Sequence, residues 1–137
     1  MEKYSAQRET LYKLLINNKN HPTADELYLN LKEQISNISL GTVYRNLAKL
    51  SESGKILKLT FKNSPDRYDG DINPHMHFIC SRCNSVFDFY IDPINKAYNS
   101  FLQSVSDFNQ DFDVTETNIN FSGLCPSCKI KNNLTIS

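Results

Sequence analysis

The sequence predicts an α+β protein in two parts: three short helices closed by a β-hairpin, then a smaller set of strands around one helix. Three observations carry that division. Apolar residues recur at helical spacing as far as Leu50 and alternate after it. All four cysteines lie in the second half, as Cys80-x-x-Cys83 and Cys125-x-x-Cys128. The charge also divides, with 10 Lys/Arg against 6 Asp/Glu in residues 1–65 and 5 against 9 in residues 66–137, although the net charge is zero. A basic front half suits a nucleic-acid-facing module, and ordinary surface variation is the plainer explanation.

The first helix is expected to start after Ser5, to carry Leu11, Leu14 and Leu15 on one face, and to end in Asn17-Asn18-Lys19-Asn20. His21 and Pro22 then lie in a loop. Thr23 and Glu26 form a T-x-x-E capping box, which opens a second helix with Ala24, Leu27, Leu31 and Ile35 as its buried stripe. Ser39 is a good N-cap for a third helix with Val43, Leu47 and Leu50 inward and Gly54 as its stop. Its other face offers Thr42, Arg45, Asn46 and Lys49, with Tyr44 beside them. KILKLTFK alternates as a half-buried strand does, and Asn63-Ser64-Pro65-Asp66 turns it back into Arg67-Tyr68-Asp69.

Helices followed by a hairpin are the order of a winged helix-turn-helix, in which the later helix of the pair enters the major groove of DNA. A small helical bundle with a polar face fits the same pattern. Gly70-Asp71-Ile72-Asn73-Pro74 reads as a hinge, giving domains 1–69 and 75–137 with a linker at 70–74. Beyond it, HFIC and SVFDFYI read as strands joined by a Ser81-Arg82 knuckle. Residues 93–108 look helical, with Ile94, Ala97, Tyr98, Phe101, Leu102 and Val105 on one side. TETNINFSGLC alternates as a strand that delivers Cys125, and a polar tail follows Lys129.

No stretch approaches the ~18 apolar residues of a membrane span, and MEKYSAQRETLYKLL lacks the apolar core of a secretory signal. The expectation is a cytoplasmic protein, where four cysteines are poor candidates for structural disulfides. Each CxxC turn lets two thiolates converge on one ion, and a closed site needs four ligands. The two pairs, with 41 residues between them, are therefore expected to share one ion. Thiolates favour Zn²⁺, with an iron–cysteine centre as the lesser option. His75 and His77 share one strand face, and Cys80 projects from the other. Asp69 and Asp88 are nearby oxygen donors, and mixed imidazole and carboxylate ligands suit Fe²⁺ or Mn²⁺. Spacing alone does not select His21, Asp69 or Asp88 as partners of the histidine pair.

HPTADELY, ISLGTVYRNL, RYD, HMHFIC-SRC-NSVFD and GLCPSC together resemble the ferric uptake regulator (Fur) family of metal-dependent repressors, most closely its PerR-type peroxide-sensing branch. The stretches stand in family order and span nearly the whole chain. The resemblance implies a winged-helix DNA-binding domain, a hinge and a dimerisation domain acting as a homodimer on double-stranded DNA. It places structural zinc on Cys80, Cys83, Cys125 and Cys128, and a regulatory Fe²⁺ or Mn²⁺ on His21, Asp69, His75, His77 and Asp88. It also implies that His21 and His75 are the oxidation-sensitive ligands. Asp88 carries the branch assignment, because Fur-type iron sensors usually have glutamate there. An iron- or other metal-sensing repressor without a peroxide response is the alternative. For DNA contact the expected residues are Thr42, Tyr44, Arg45, Asn46 and Lys49.

An enzyme is disfavoured. A zinc deaminase needs H-x-E with P-C-x-x-C, whereas no histidine here has Glu two residues on and Pro126 follows Cys125. H-E-x-x-H is absent as well. Leu-Cys-Pro-Ser-Cys resembles a rubredoxin knuckle, but an electron carrier has no need of a basic helical first half.

Overall fold

The computed structural model describes residues 3–73, 75–90, 96–115 and 117–136. They form two compact units, Met1–Asn73 and Pro74–Ser137. Of the expected elements, Pro74, Ile91, Ile94 and Glu116 lie outside the described residues.

The first unit holds α1 (Lys3–Ile16), α2 (Ala24–Gln34), α3 (Leu40–Glu52), β1 (Leu57–Leu59) and β2 (Arg67–Asp69). The first helix thus begins two residues before Ser5. Thr23 caps α2 by accepting the Glu26 amide at 3.2 Å, and Ser39 caps α3 by accepting the Thr42 amide at 3.1 Å. At its C-terminus α3 closes in a Schellman turn. The Gly54 amide donates to Ser51 and the Lys55 amide to Leu50. The turn needs the left-handed backbone that Gly54 adopts, with φ of 76°.

Leu11, Leu15, Leu27, Leu31, Val43, Leu47, Leu50 and Ile56 fill the centre of the three helices. β1 and β2 pair antiparallel, Leu57 opposite Asp69 and Leu59 opposite Arg67, in the winged-helix order. Gly70 follows against the end of α1. A Cβ there would stand 2.8 Å from the Leu15 carbonyl oxygen and 2.9 Å from Ile16 backbone atoms, so only glycine fits.

The second unit holds β3 (Met76–Cys80), β4 (Val86–Phe89), α4 (Lys96–Phe108), β5 (Asn120–Gly123) and α5 (Pro126–Ile136). Its sheet runs β4-β3-β5, with β3–β4 antiparallel and β3–β5 parallel. The expected polar tail is instead the helix α5. Pro126 explains it, since proline at a first helical position has φ already set and lacks an amide that would go unpaired. The helix α4 buries none of its described residues, and Phe101, Val105 and Phe108 stand exposed. No helix among the described residues is long and apolar enough to cross a membrane.

Candidate metal centres

The cysteine site is built by β-pairing and by one helical turn. Cys80 ends β3, and the turn after it returns Cys83 to the same place. Gly123 of β5 lies opposite Cys80, so the chain delivers Cys125 two residues later. The first turn of α5, in which the Lys129 amide donates to the Cys125 carbonyl at 2.8 Å, brings Cys128 round. The four Sγ atoms all lie within 4.8 Å of one another. No pair of them is a disulfide.

The backbone prepares this cage for negative charge. Amides of Cys83 and Cys125 donate to Cys80 Sγ at 3.5 and 3.4 Å. Those bonds hold the Cys80 thiol down at about 6. Burial, reinforced by the neighbouring thiols, pushes Cys128 up to about 12. Four sulfurs with no cation among them cannot all be thiolates, and a dication resolves the conflict. The donor set fits Zn²⁺ or Fe²⁺ in tetrahedral thiolate coordination.

Nitrogen and oxygen donors gather in each unit. In the first unit His21 precedes α2 and is turned back onto β2. The Tyr68 amide donates to the Pro22 carbonyl at 3.0 Å, Thr23 bridges Arg67, and Arg67 Nη1 donates to the His21 carbonyl at 3.4 Å. These bonds hold His21 at φ of 52°, a left-handed conformation that costs roughly 1 kcal/mol in a residue with a Cβ. The imidazole is thereby buried with Nε2 3.3 Å from Asp69 Oδ2.

In the second unit register does the work. His77 lies opposite Asp88 across β3 and β4, and His75 shares the His77 face two residues earlier. Asp88 Oδ1 is 3.1 Å from His75 Nε2 and 3.4 Å from His77 Nε2. The two rings meet edge to face at 4.5 Å. Cys80 projects from the opposite face and packs with Phe78. The alternation argument thus separates histidines from thiols as expected. Sequence reading passed over Tyr90, whose hydroxyl donates to Asp88 Oδ2 at 3.3 Å and whose ring stacks on His75. The i, i+2 spacing from Asp88 was the available signal.

The DNA-contact candidates divide. Tyr44, Arg45 and Lys49 are exposed on α3. Thr42 and Asn46 are buried, contrary to the expected open face. Thr42 Oγ1 meets the Ser39 hydroxyl and Arg45 Nη2, and Asn46 Oδ1 accepts from Arg8 Nε at 3.2 Å. The inward arc of α3 is wider than its apolar stripe, because α1 also packs against it.

The sequence profile of the ferric uptake regulator family matches residues 2–120. The peroxide-responsive repressor PerR of Staphylococcus epidermidis is 33% identical over 127 residues, covering 93% of this chain and 81% of that protein. The crystal structure of the Campylobacter jejuni peroxide stress regulator superposes with a TM-score of 0.77 at 27% identity, covering 92% of this chain and 91% of the other. A ferric uptake regulator from Francisella tularensis, solved with iron, gives 0.70 at 28% identity, with coverages of 90% and 91%. The chain is a member of the ferric uptake regulator family.

Proposed function

We propose that this metal-dependent regulator is a DNA-binding transcriptional repressor that senses hydrogen peroxide through oxidation of a histidine ligand. The observation that carries the reading is the short carboxylate of Asp88 set between two imidazoles. The resemblance and the PerR-named relative support the same branch. As the resemblance implies, His21, Asp69, His75, His77 and Asp88 would hold one Fe²⁺ or Mn²⁺, while Cys80, Cys83, Cys125 and Cys128 keep a permanent zinc. Metal would then favour one arrangement of the two domains and shift the population towards it. The domain division 1–69, 70–74 and 75–137 is the frame for that movement.

DNA would be met by the exposed side of α3. Tyr44 can contact a thymine methyl or the backbone, and Arg45 and Lys49 can donate to bases or phosphates. Buried Thr42 and Asn46 would act by holding Arg45 and Arg8. A homodimer would double these contacts, and the exposed apolar residues of α4 offer a surface for it. The cytoplasm is the compartment in which such a repressor meets its operator.

Fe²⁺ held by His21, Asp69, His75, His77 and Asp88 would give hydrogen peroxide one electron, releasing hydroxide and a hydroxyl radical that takes its further electron from the nearest imidazole and leaves its oxygen on the ring. The protein's part is to place His21 and His75 where they are the nearest oxidisable groups. Oxidation of either ring removes a nitrogen donor, and the remaining ligands hold the ion too weakly to maintain repression. The zinc thiolates are structural, although cysteine is the more familiar redox residue.

The test is DNA binding with Fe²⁺ and with Mn²⁺, each before and after hydrogen peroxide. Loss confined to the iron sample is expected. Unchanged binding in both would make the protein an iron- or other metal-sensing repressor without peroxide response. His21→Ala protein should bind DNA no better with metal than without it; retained metal dependence would refute the bridge.

A further inference from the structure

Asp88 lies in β4 opposite His77, and Tyr90 follows two residues later, just past the end of the strand. Tyr90 is 66% exposed, so burial does not explain where its ring lies. Its hydroxyl donates to Asp88 Oδ2 at 3.3 Å. Its ring stacks on His75 with centroids 5.3 Å apart and planes inclined by 27°. One aromatic side chain therefore touches two members of the histidine–carboxylate group.

We propose that Tyr90 is a positioning residue of the regulatory metal site, holding Asp88 through its phenol and His75 through its ring. The inference rests on reading His75, His77 and Asp88 as ligands. A carboxylate can offer a metal either or both of its oxygens. The phenol engages Oδ2 and leaves Oδ1 turned to the imidazoles, at 3.1 Å from one Nε2 and 3.4 Å from the other. Asp88 is thereby set to give a single oxygen. An imidazole can also rotate about its bond to Cβ, and the stack fixes the plane of His75 so that Nε2 points at Asp88. Groups that orient ligands in this way commonly change metal affinity about 10- to 100-fold when removed.

The test uses the full chain with its zinc retained, titrated with Mn²⁺ by calorimetry. Tyr90→Phe keeps the ring and loses the hydroxyl, and is expected to weaken Mn²⁺ binding about tenfold with zinc content unchanged. Tyr90→Ala loses both contacts and is expected to weaken it further. It should also move the His75 ring resonances of the metal-free protein, which Tyr90→Phe should leave in place. In an Asp88→Asn background Tyr90→Phe should cost nothing more, because the phenol acts through the carboxylate.

Wild-type Mn²⁺ affinity in Tyr90→Phe would overturn the positioning role, as would an equal loss in the Asp88→Asn background. If Asp88→Asn itself bound Mn²⁺ as tightly as wild type, the ligand reading would fail and the role of Tyr90 with it. The two failures are thus told apart.

Discussion

The two units of this chain are held together by different chemistry. The first buries a continuous set of aliphatic side chains among three helices and under a hairpin. Among its described residues the second buries Cys80, Cys125 and Cys128 as a cluster with Phe78 against them, besides Val86 and His77, and leaves Phe87, Phe89, Phe101 and Phe121 exposed. Apolar burial stabilises at roughly 25 cal/mol per Å², so the first unit has its driving force built in. A unit of about 60 residues whose described residues bury few apolar side chains commonly gains stability from a metal, a disulfide or a partner. The difference sets one part with a continuous aliphatic core against one whose buried cluster is made of potential metal ligands.

The largest effect should come from breaking the cage. Structural zinc in small modules contributes on the order of 10 kcal/mol or more, and a dication held by these four sulfurs would stabilise the second unit on that scale. Cys128→Ser, or removal of zinc by a chelator, should let the amides of β3, β4 and β5 exchange freely while those of α2 and α3 stay protected. Hydrogen exchange resolved by segment reads this directly. Equal protection of β3 before and after zinc removal would show that the second unit also folds by itself. Acid should weaken the cage in the same direction, because protons compete with the cation for sulfur. Cys128, up at about 12 without a cation, holds its proton at neutral pH, so zinc uptake should release it into a weakly buffered solution.

The converse experiment attacks the first unit. Leu47 is fully buried in α3 at the centre of the helical core. Leu47→Ala should cost about 2–5 kcal/mol through lost transfer energy and the cavity left behind. Thermal unfolding followed by helical circular dichroism should show the loss, with bound zinc per chain unaltered. Zinc falling in proportion to helix content would mean that the two units unfold as one, and the contrast between them would disappear.

The contrast also explains which features were legible in the residues. Caps at Thr23 and Ser39 and the stop at Gly54 are local, each decided within about four positions, and all three form. The CxxC pairs are legible for the same reason. His21 is different, because its neighbour Asp69 reaches it only through the bonds that pin Pro22 and Thr23 to β2. No local spacing encodes that, and the resemblance had to supply it. The parallel pairing of β5 with β3 is equally non-local. At Asn46 the signal misled, since a polar residue beside the apolar stripe reads as exposed, whereas Arg8 gives it a buried partner. Helix α5 was hidden by its polar composition, although Pro126 marked its start.

The smallest effect sharpens the comparison most, because it separates stability from contact within one residue. Ser39 accepts the Thr42 amide at 3.1 Å and also meets the Thr42 hydroxyl at 2.9 Å, which in turn accepts from Arg45. Ser39→Ala removes the cap and should destabilise the first unit by about 1 kcal/mol, with the second unit untouched. Ser39→Asp keeps a capping oxygen and places negative charge at the helix N-terminus, which favours the fold. That same charge would repel a phosphate approaching the exposed side of α3. Ser39→Asp should therefore unfold at a temperature near that of wild type yet bind DNA more weakly, whereas Ser39→Ala should lose stability first. Denaturation midpoints measured beside DNA affinity at fixed salt make the distinction. If Ser39→Asp bound DNA like wild type, the N-terminal end of α3 would lie away from the phosphates, and the contact surface would shift towards Lys49.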